Sequence, residues 1–392
     1  MILKISLAWC QLKYKKRRLL VAIAGISFAV VLMFMQLGFQ SALFDSAVRL
    51  HNSLRGDIFL LSTRSTALIG MKHFSERRLS QTLAFPEEVE FITPIYLSFA
   101  QWKNPTNPNY WRNIHVIGFD IRYSIFDLPG VAENITKLQM PDVVLFDRAS
   151  RHEFGNIASL LKNQASITTE IDNIATETHQ IKVVGLFTLG TSFGIDGNLI
   201  TSHLNFLRIF SQRNKGFIEV GLIKLKPGVN SNLVTQKISN YLPPDVRVLS
   251  KQQWIDFEKK YWTSSTAIGF IFNLGVGMGL IVGTTIFYQI LYTDITDNLS
   301  EYATLKAMGY QQKYLLSIIF QQSIIMAILG YIPGFLISSI LYQIARNITL
   351  LPISMNPFRS LFVLFLTIFM CFISGTIAVQ KLQDADPADI FN

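Results

Sequence analysis

Charge is scarce in this sequence. Asp, Glu, Lys and Arg make up 16% of its 392 residues, where a soluble domain carries about 25%. The deficit is concentrated: none of the four occurs in 19–44, 261–293, 314–345 or 360–380, windows of 26, 33, 32 and 21 residues. A helix crosses a bilayer in about 20 residues, and one central charge costs roughly 2.5–3.5 kcal/mol there. Four such windows exclude a soluble enzyme and predict four membrane spans. Ion- and proton-coupled carriers bury carboxylates, histidines or basic residues in their helices, so charge-free spans disfavour secondary transport. Cysteine is nearly absent too. Cys10 and Cys371 both lie outside the polar part of the chain, which excludes a disulfide bracing that part and any CxxC or Cys/His metal spacing. No GxxxxGK[ST] occurs, so the chain has no P-loop of its own to cradle ATP.

What remains is one polar block, 45–262, of 218 residues with 24 Lys/Arg and 20 Asp/Glu. It is long enough to bury its own core. The net charge of +9 therefore describes no nucleic-acid surface; six of the excess positives are Lys4, Lys13, Lys15, Lys16, Arg17 and Arg18. Ahead of a 26-residue apolar run these read as an uncleaved anchor, because signal-peptide h-regions span only about 7–15 residues. The positive-inside bias puts the N-terminus in the cytoplasm, so the block is external and the C-terminus returns to the cytoplasm. The resulting plan is an amphipathic cytoplasmic helix at 1–18, TM1 at 19–44, the external domain at 45–262, TM2 with a stalk at 263–293 and a cytoplasmic coupling helix at 294–313. TM3 at 314–345, an outer loop at 346–359, TM4 at 360–380 and a cytoplasmic tail at 381–392 complete it.

Within the block, Asp57–Ser62, Phe74–Ala84 and Val89–Ser98 read as strand, helix and strand, the last broken at Pro94. Ile218–Leu225, Asn232–Tyr241 and Val246–Ser250 repeat the pattern after a Lys226-Pro227-Gly228 turn. Two β-α-β units thus flank a β-rich insertion at about 100–215, an α+β fold. Gly190-Thr191-Ser192-Phe193-Gly194 matches the GxSxG nucleophile elbow in letters. The residues that follow, Ile195-Asp196-Gly197-Asn198, form another turn where the elbow needs a helix, and His203 is the one later histidine. The six histidines are scattered through the block without metal spacing.

The membrane segments carry their own pattern. Gly275, Gly279 and Gly283 recur every four residues in TM2, baring one helix face for close packing. That packing is either within the chain or at a homodimer seam. Asn273, Gln289, Gln36 and Gln40 are candidate interhelical hydrogen-bond formers. TM2 opens an uncharged run of 33 residues, about 50 Å as a helix, which predicts a rigid stalk rising from near Trp262.

Asn298–Gly309 (NLSEYATLKAMG), followed by Gly330-Tyr331-Ile332-Pro333-Gly334, resembles the permease domain of FtsX/MacB-type ABC systems. Gly25–Gln40, Tyr288–Asp294, Glu301–Tyr310 and Ala385–Phe391 are similar to the DevC permeases of cyanobacteria, and that resemblance runs over essentially the whole chain. Gln322 departs from the family, which often has glutamate there. The resemblance implies the membrane subunit of a tripartite, ATP-driven, type VII exporter of lipid, glycolipid or another amphiphile; the DevC group is associated with envelope glycolipid export. The alternative is an FtsX-like mechanotransmission permease that signals to a periplasmic cell-wall hydrolase. Implied partners are a second copy of the chain, an ABC ATPase, a periplasmic adaptor (membrane fusion) protein, a TolC-like outer-membrane duct and membrane lipids, with no nucleic acid. The chain would sit in the bacterial inner membrane with both termini cytoplasmic. It would be no enzyme and hold no cofactor, ATP being bound by the separate subunit.

On the same resemblance, Glu301, Tyr302, Thr304, Leu305, Lys306, Met308 and Gly309 dock on the ATPase. Glu301 and Lys306 make polar contacts, Leu305 and Met308 fill an apolar cleft, and Pro333 is a hinge. Replacing Leu305 by Asp is then expected to abolish stimulated ATPase activity of the assembled complex while the protein stays folded. Full activity in a folded L305D complex would put the dock elsewhere.

Overall fold

The computed structural model describes residues 16–172, 178–297, 308 and 312–383. The chain divides into two compact units. One holds residues up to 42, 267–349 and from 353 onward; the other is the α+β domain, 43–266 with 350–352.

Helix α1 (Lys16–Ala47) is followed directly by the short α2 (Arg49–Ser53). The domain then builds a nine-stranded mixed sheet from β1 (Ile58–Ser62), β2 (Val89–Lys103), β3 (Trp111–Phe119), β4 (Val143–Asp147), β5 (Ile167–Asp172), β6 (His179–Phe187), β7 (Asn198–Ser202), β8 (Val220–Leu225) and β9 (Val246–Ser250). Its order is β9-β1-β8-β2-β3-β7-β4-β6-β5. The helices on it are α3 (Arg77–Gln81), α4 (Ile157–Asn163), α5 (His203–Ile209), α6 (Ser231–Tyr241) and α7 (Lys251–Lys260).

The first four strands of that order are two interlocked β-α-β units. In β1-α3-β2 the two strands run parallel with β8 between them; in β8-α6-β9 they run parallel with β1 between them. This is the split β-α-β arrangement, and each unit supplies the central strand of the other, so neither completes its sheet alone. Strict alternation sorts the side chains: Ile58 and Leu60 enter one core with Leu79, Val234 and Ile238, and Phe59 and Leu61 enter the opposite one with Leu50 and Trp254. All five β1 residues are buried, as expected of a strand covered on both faces. Local signals set the helix starts. Asn230 Oδ1 accepts from the Asn232 and Leu233 amides at the head of α6, and Ser250 with Gln253 forms a capping box at α7.

The inserted strands curl until the outermost, β5, meets β2 again through Gln101↔Asp172 and Trp102↔Ile171. The long strand β2 therefore belongs both to the split β-α-β sheet and to a closed ring β2-β3-β7-β4-β6-β5. Closure removes the free edge an inserted sheet would expose. Trp102 sits in this ring 5.4 Å from the Phe146 ring, its indole N–H donating to the Phe154 carbonyl at 3.0 Å.

Two sequence expectations change here. The strand beginning at Val89 is not broken at Pro94 but runs on to Lys103. Pro94 faces Gly221 of β8 on one side, and pairing with β3 on the other begins only at Ile95, so a proline is tolerated where the strand is flanked on one side alone. The helix expected over Phe74–Ala84 is instead a two-residue strand paired with Phe217–Ile218, the single turn of α3, and a 3-10 turn at Thr82–Ala84.

The membrane unit comprises α1, α8 (Ala267–Asp297), α9 (Gln312–Thr349) and α10 (Pro357–Gln383), four helices long and apolar enough to cross a bilayer. The apolar run opening near Trp262 is not one rigid helix. After α7 the chain makes a π-helical turn, Tyr261–Ser265, and an extended residue, Thr266 (φ −123°, ψ 156°), before α8 begins.

Candidate functional site

The predicted glycine face of α8 packs within the chain, against α1. A Cβ on Gly275 would meet the Gln36 amide, and one on Gly279 would lie 3.3 Å from Met33 Cγ. On Gly283 it would lie 2.7 Å from Ala29 Cβ and collide with Met370 of α10. Gly277, on the other side, has nothing within 4 Å. Helix α1 is pressed equally closely by α9. A Cβ on Gly330 would strike Ile26, one on Gly334 would strike Val30, and Ser27 Oγ donates to the Gly330 carbonyl at 2.8 Å. Tyr342 OH donates to the Phe34 carbonyl beside Gly38. Helix α10 joins through Ser374 Oγ donating to the Thr284 carbonyl at 2.8 Å and Phe372 stacked on Phe320 at 4.6 Å.

Pro333 lies between the two α9 glycines that touch α1, within an otherwise continuous helix. It leaves the Leu329 carbonyl without its usual helical donor, which softens that turn. Of the polar side chains predicted to bridge helices, Gln40 donates to Asn273 at 3.1 Å, Gln36 lies over Gly275, and Gln289 is exposed.

Of the predicted ATPase-coupling residues, Glu301, Tyr302, Thr304, Leu305, Lys306 and Gly309 lie outside the described residues. Met308 is in a turn and exposed. Nearby in sequence, Arg18 at the head of α1 pairs with Asp297 and lies 3.9 Å from Asp294, both in the last turns of α8. Reading each span by itself misses this clip, although the sequence carries its signal. Arg18 is the last charge before the first apolar window and Asp294 the first after the second, so an up-and-down threading returns them to one end of the bundle.

A second cluster lies at the base of the α+β domain, where the chain enters through α2 and leaves through α7. Glu258 is buried; its Oε2 accepts from the Leu68 amide at 2.8 Å and its Oε1 from Trp262 Nε1 at 3.0 Å. His51 of α2 is also fully buried, 3.8 Å from Glu258 Oε2 and 4.1 Å between ring centroids from Trp254. Burial pushes the Glu258 carboxyl up from 4.5 to about 7, against the pull of its two hydrogen bonds. Burial, reinforced by Lys251, pushes the His51 imidazole down from 6.5 to about 3. At neutral pH the pair is thus an uncharged imidazole beside a half-titrated carboxyl. Neither residue stands out in sequence, because neither falls in a metal or catalytic spacing and the two are 207 positions apart.

The GxSxG match is a tight turn in which Ser192 N donates to the Ile195 carbonyl at 2.8 Å. No strand-to-helix elbow follows it, so Ser192 has none of the geometry of a nucleophile. On the inserted ring, Arg148 and Lys162 flank an apolar depression of ≈ 260 Å³ lined by Ala158, Leu161 and Leu186.

Four helices long and apolar enough to cross a bilayer, with a large α+β domain in the connection between the first two, give the plan of a multi-pass membrane protein. Residues 273–387 match the family described as "FtsX-like permease C-terminal". That stretch begins within α8 and takes in α9 and α10, so the membrane helices after the α+β domain are similar to an FtsX-like permease domain. No curated protein matches the chain in sequence. Among solved structures, the periplasmic region of MacB from Actinobacillus actinomycetemcomitans is similar at 14% identity and a TM-score of 0.36, over 55% of this chain and 95% of that one. The extracellular domain of the noncanonic ABC-type transporter YknZ from Gram-positive bacteria is similar at 9% identity and a TM-score of 0.33, over 49% and 98%.

Two outcomes follow from the packing and the titrations. Gly283→Ala is expected to lower the thermal midpoint of the full-length chain, by an overpacking cost of about 1–3 kcal/mol. In the single chain Gly277→Ala, with open space at its Cβ, leaves the midpoint unchanged or raises it through helix propensity. A carboxyl whose folded pKa is raised stabilises the fold below its unfolded value and loses that stability as pH climbs through the folded one. Wild-type protein should therefore lose up to about 3 kcal/mol between pH 5 and pH 8 through Glu258. In Glu258→Gln that decline should vanish, so the midpoint difference between variant and wild type grows with pH. A difference constant from pH 5 to 8 would refute the assignment.

Proposed function

We propose that this chain is the permease subunit of a tripartite, ATP-driven exporter of a lipid, glycolipid or similar amphiphile. The single observation that carries the reading is the FtsX-like permease match over 273–387. The helix packing supports it: with no ionisable group in the charge-free windows and glycine-tight contact among α1, α8 and α9, the bundle is built to transmit movement rather than to conduct a polar solute. In this reading the turn around Met308, with Glu301, Tyr302, Thr304, Leu305, Lys306 and Gly309, receives the ATPase. Helix α8 carries its motion, Pro333 flexes, and the external domain applies it to cargo with an adaptor and an outer-membrane duct. The termini are cytoplasmic and the α+β domain is periplasmic.

A second copy of the chain completes the assembly. The α8 side bearing Leu274, Met278 and Ile281 is exposed, and Gly277 there is open to close approach. An amphiphilic cargo is favoured by the depression on the inserted ring, where two cations border an apolar floor.

The test is ATPase activity of the chain reconstituted with its ATPase, with and without adaptor and anionic glycolipid. Stimulation that needs both is expected, and it should fall severalfold in an Arg148→Glu/Lys162→Glu variant, whose two side chains are exposed. Assembly without such stimulation would favour signalling to a wall hydrolase. Failure of the folded chain to bind the ATPase would overturn the reading.

A further inference from the structure

The turn that spells GxSxG has no chemistry of its own, yet it makes two distinct sets of contacts within the α+β domain. One set meets both passages of the chain through the base. Arg49, two residues beyond α1, donates from Nη1 to the Thr191 carbonyl at 3.2 Å. Its guanidinium fills the space that a Cβ on Gly190 would need, and Gly190 itself has φ +96°. A substituted side chain is therefore excluded there both by conformation and by contact. Phe193 packs edge-on against Trp262 of the π-helical turn, centroids 5.4 Å apart. Gly194 lies against Ile69, next to Leu68, whose amide is held by Glu258 of α7. Phe193 is 52% exposed, so its contact with Trp262 is not imposed by a surrounding core.

The other set anchors the same turn in the inserted ring. Asp147, the last residue of β4, is completely buried and takes the Leu189 amide at 3.1 Å, the Gly190 amide at 2.8 Å and Asn198 Nδ2 at 2.9 Å. Asp196 pairs with Arg112 of β3 at 2.5 Å and with Arg151 beyond β4 at 2.6 Å. With the Ala149 amide at 3.0 Å the buried carboxylate has four donors, and together with a doubly paired aspartate it makes a stiff mount, since breaking either leaves a buried acceptor unsatisfied. Short, strong bonds thus hold one end of the turn, while the end facing Trp262 rests on an aromatic contact that can slide.

We propose that the turn Leu189–Asn198 is a strap that hands displacement of Arg49 and Trp262 to the inserted ring, with Phe193 as the positioning residue. This deepens the transmission reading above and rests on it. Movement of α7 and the π-helical turn pulls the strap through Phe193 and Gly194; movement after α1 pulls it through Arg49. Asp147 and Asp196 deliver both to β4, which leads directly into Arg148 at the depression, and to β3 in the ring. The two passages need not move the ring through the split β-α-β sheet, whose interlocked strands resist shear.

The test is hydrogen exchange in the full-length chain assembled with its ATPase, compared between ADP and ATP–vanadate. In wild type, α7, the strap and β4 are all expected to change exchange by about threefold or more between the two states. Phe193→Ala keeps the α7 response and loses most of that in 189–198 and 143–147, and Phe193→Tyr restores it; a merely structural role would not make the nucleotide-dependent difference recover with ring size. An undiminished β4 response in F193A, or a wild-type α7 that responds while the strap does not, overturns the strap. Silence of α7 itself in wild type overturns the transmission reading and the strap with it, and is told apart by that silence.

Discussion

Inside a bilayer, apolar side chains have no water to escape, so hydrophobicity does not draw helices together. The membrane unit depends on what replaces it: backbone-close contact at glycine. Helix α1 is the shared partner. Gly275, Gly279 and Gly283 bring α8 onto one side of it, and Gly330 and Gly334 bring α9 onto another. The Ser27 and Tyr342 hydroxyls then reach helix carbonyls across those seams. Contacts this close permit little independent movement of α1, α8 and α9. The turn at Pro333, flanked by the two contacting glycines, lacks one helical hydrogen bond.

The α+β domain solves a different problem. It must hold together a long insertion while its chain enters and leaves at one cluster. Interlocking the two β-α-β units achieves the first, because each unit's sheet is completed by a strand of the other. Buried carboxylates manage the attachments. Glu258 ties α7, the loop at Leu68 and Trp262 into one cluster, and Asp147 ties the end of β4 to the Leu189–Asn198 turn. The two differ in kind. Asp147 is fully provided with donors, whereas Glu258 meets two and sits beside an imidazole that burial keeps neutral. The base thus carries a protonatable attachment and the ring a permanent one. At the π-helical turn and Thr266 the chain steps out of a helix, so the expected stalk is interrupted there.

Much of this is legible in the residues themselves. The four charge-free windows become four long helices because hydrophobic length is a sufficient signal for a span. The split β-α-β strands announce themselves by alternation in Ile58–Ser62 and Val220–Leu225 and by caps at Asn230 and Ser250. Pro94 misleads, because a proline's tolerance depends on whether a neighbouring strand lies on its N–H side, and that is a property of register. The GxSxG letters lack the helix that a nucleophile elbow needs, but nothing in them tells of Arg49 at one end and Trp262 at the other. The Arg18 clip to Asp294 and Asp297 needs the threading of four helices to become visible.

By itself the sequence determined where the chain can be buried in hydrocarbon, which segments have strand or helix periodicity, and that no P-loop is present. Those are properties of local composition and spacing, and each residue carries its share of them. The tertiary structure alone decided which faces meet: that the α8 glycines pack on α1 rather than on a second copy, that β5 closes back on β2, and that His51 and Glu258 are buried side by side. Burial and pairing between distant residues come from the simultaneous packing of many elements. The same glycine, proline or histidine therefore means different things according to what the fold sets against it.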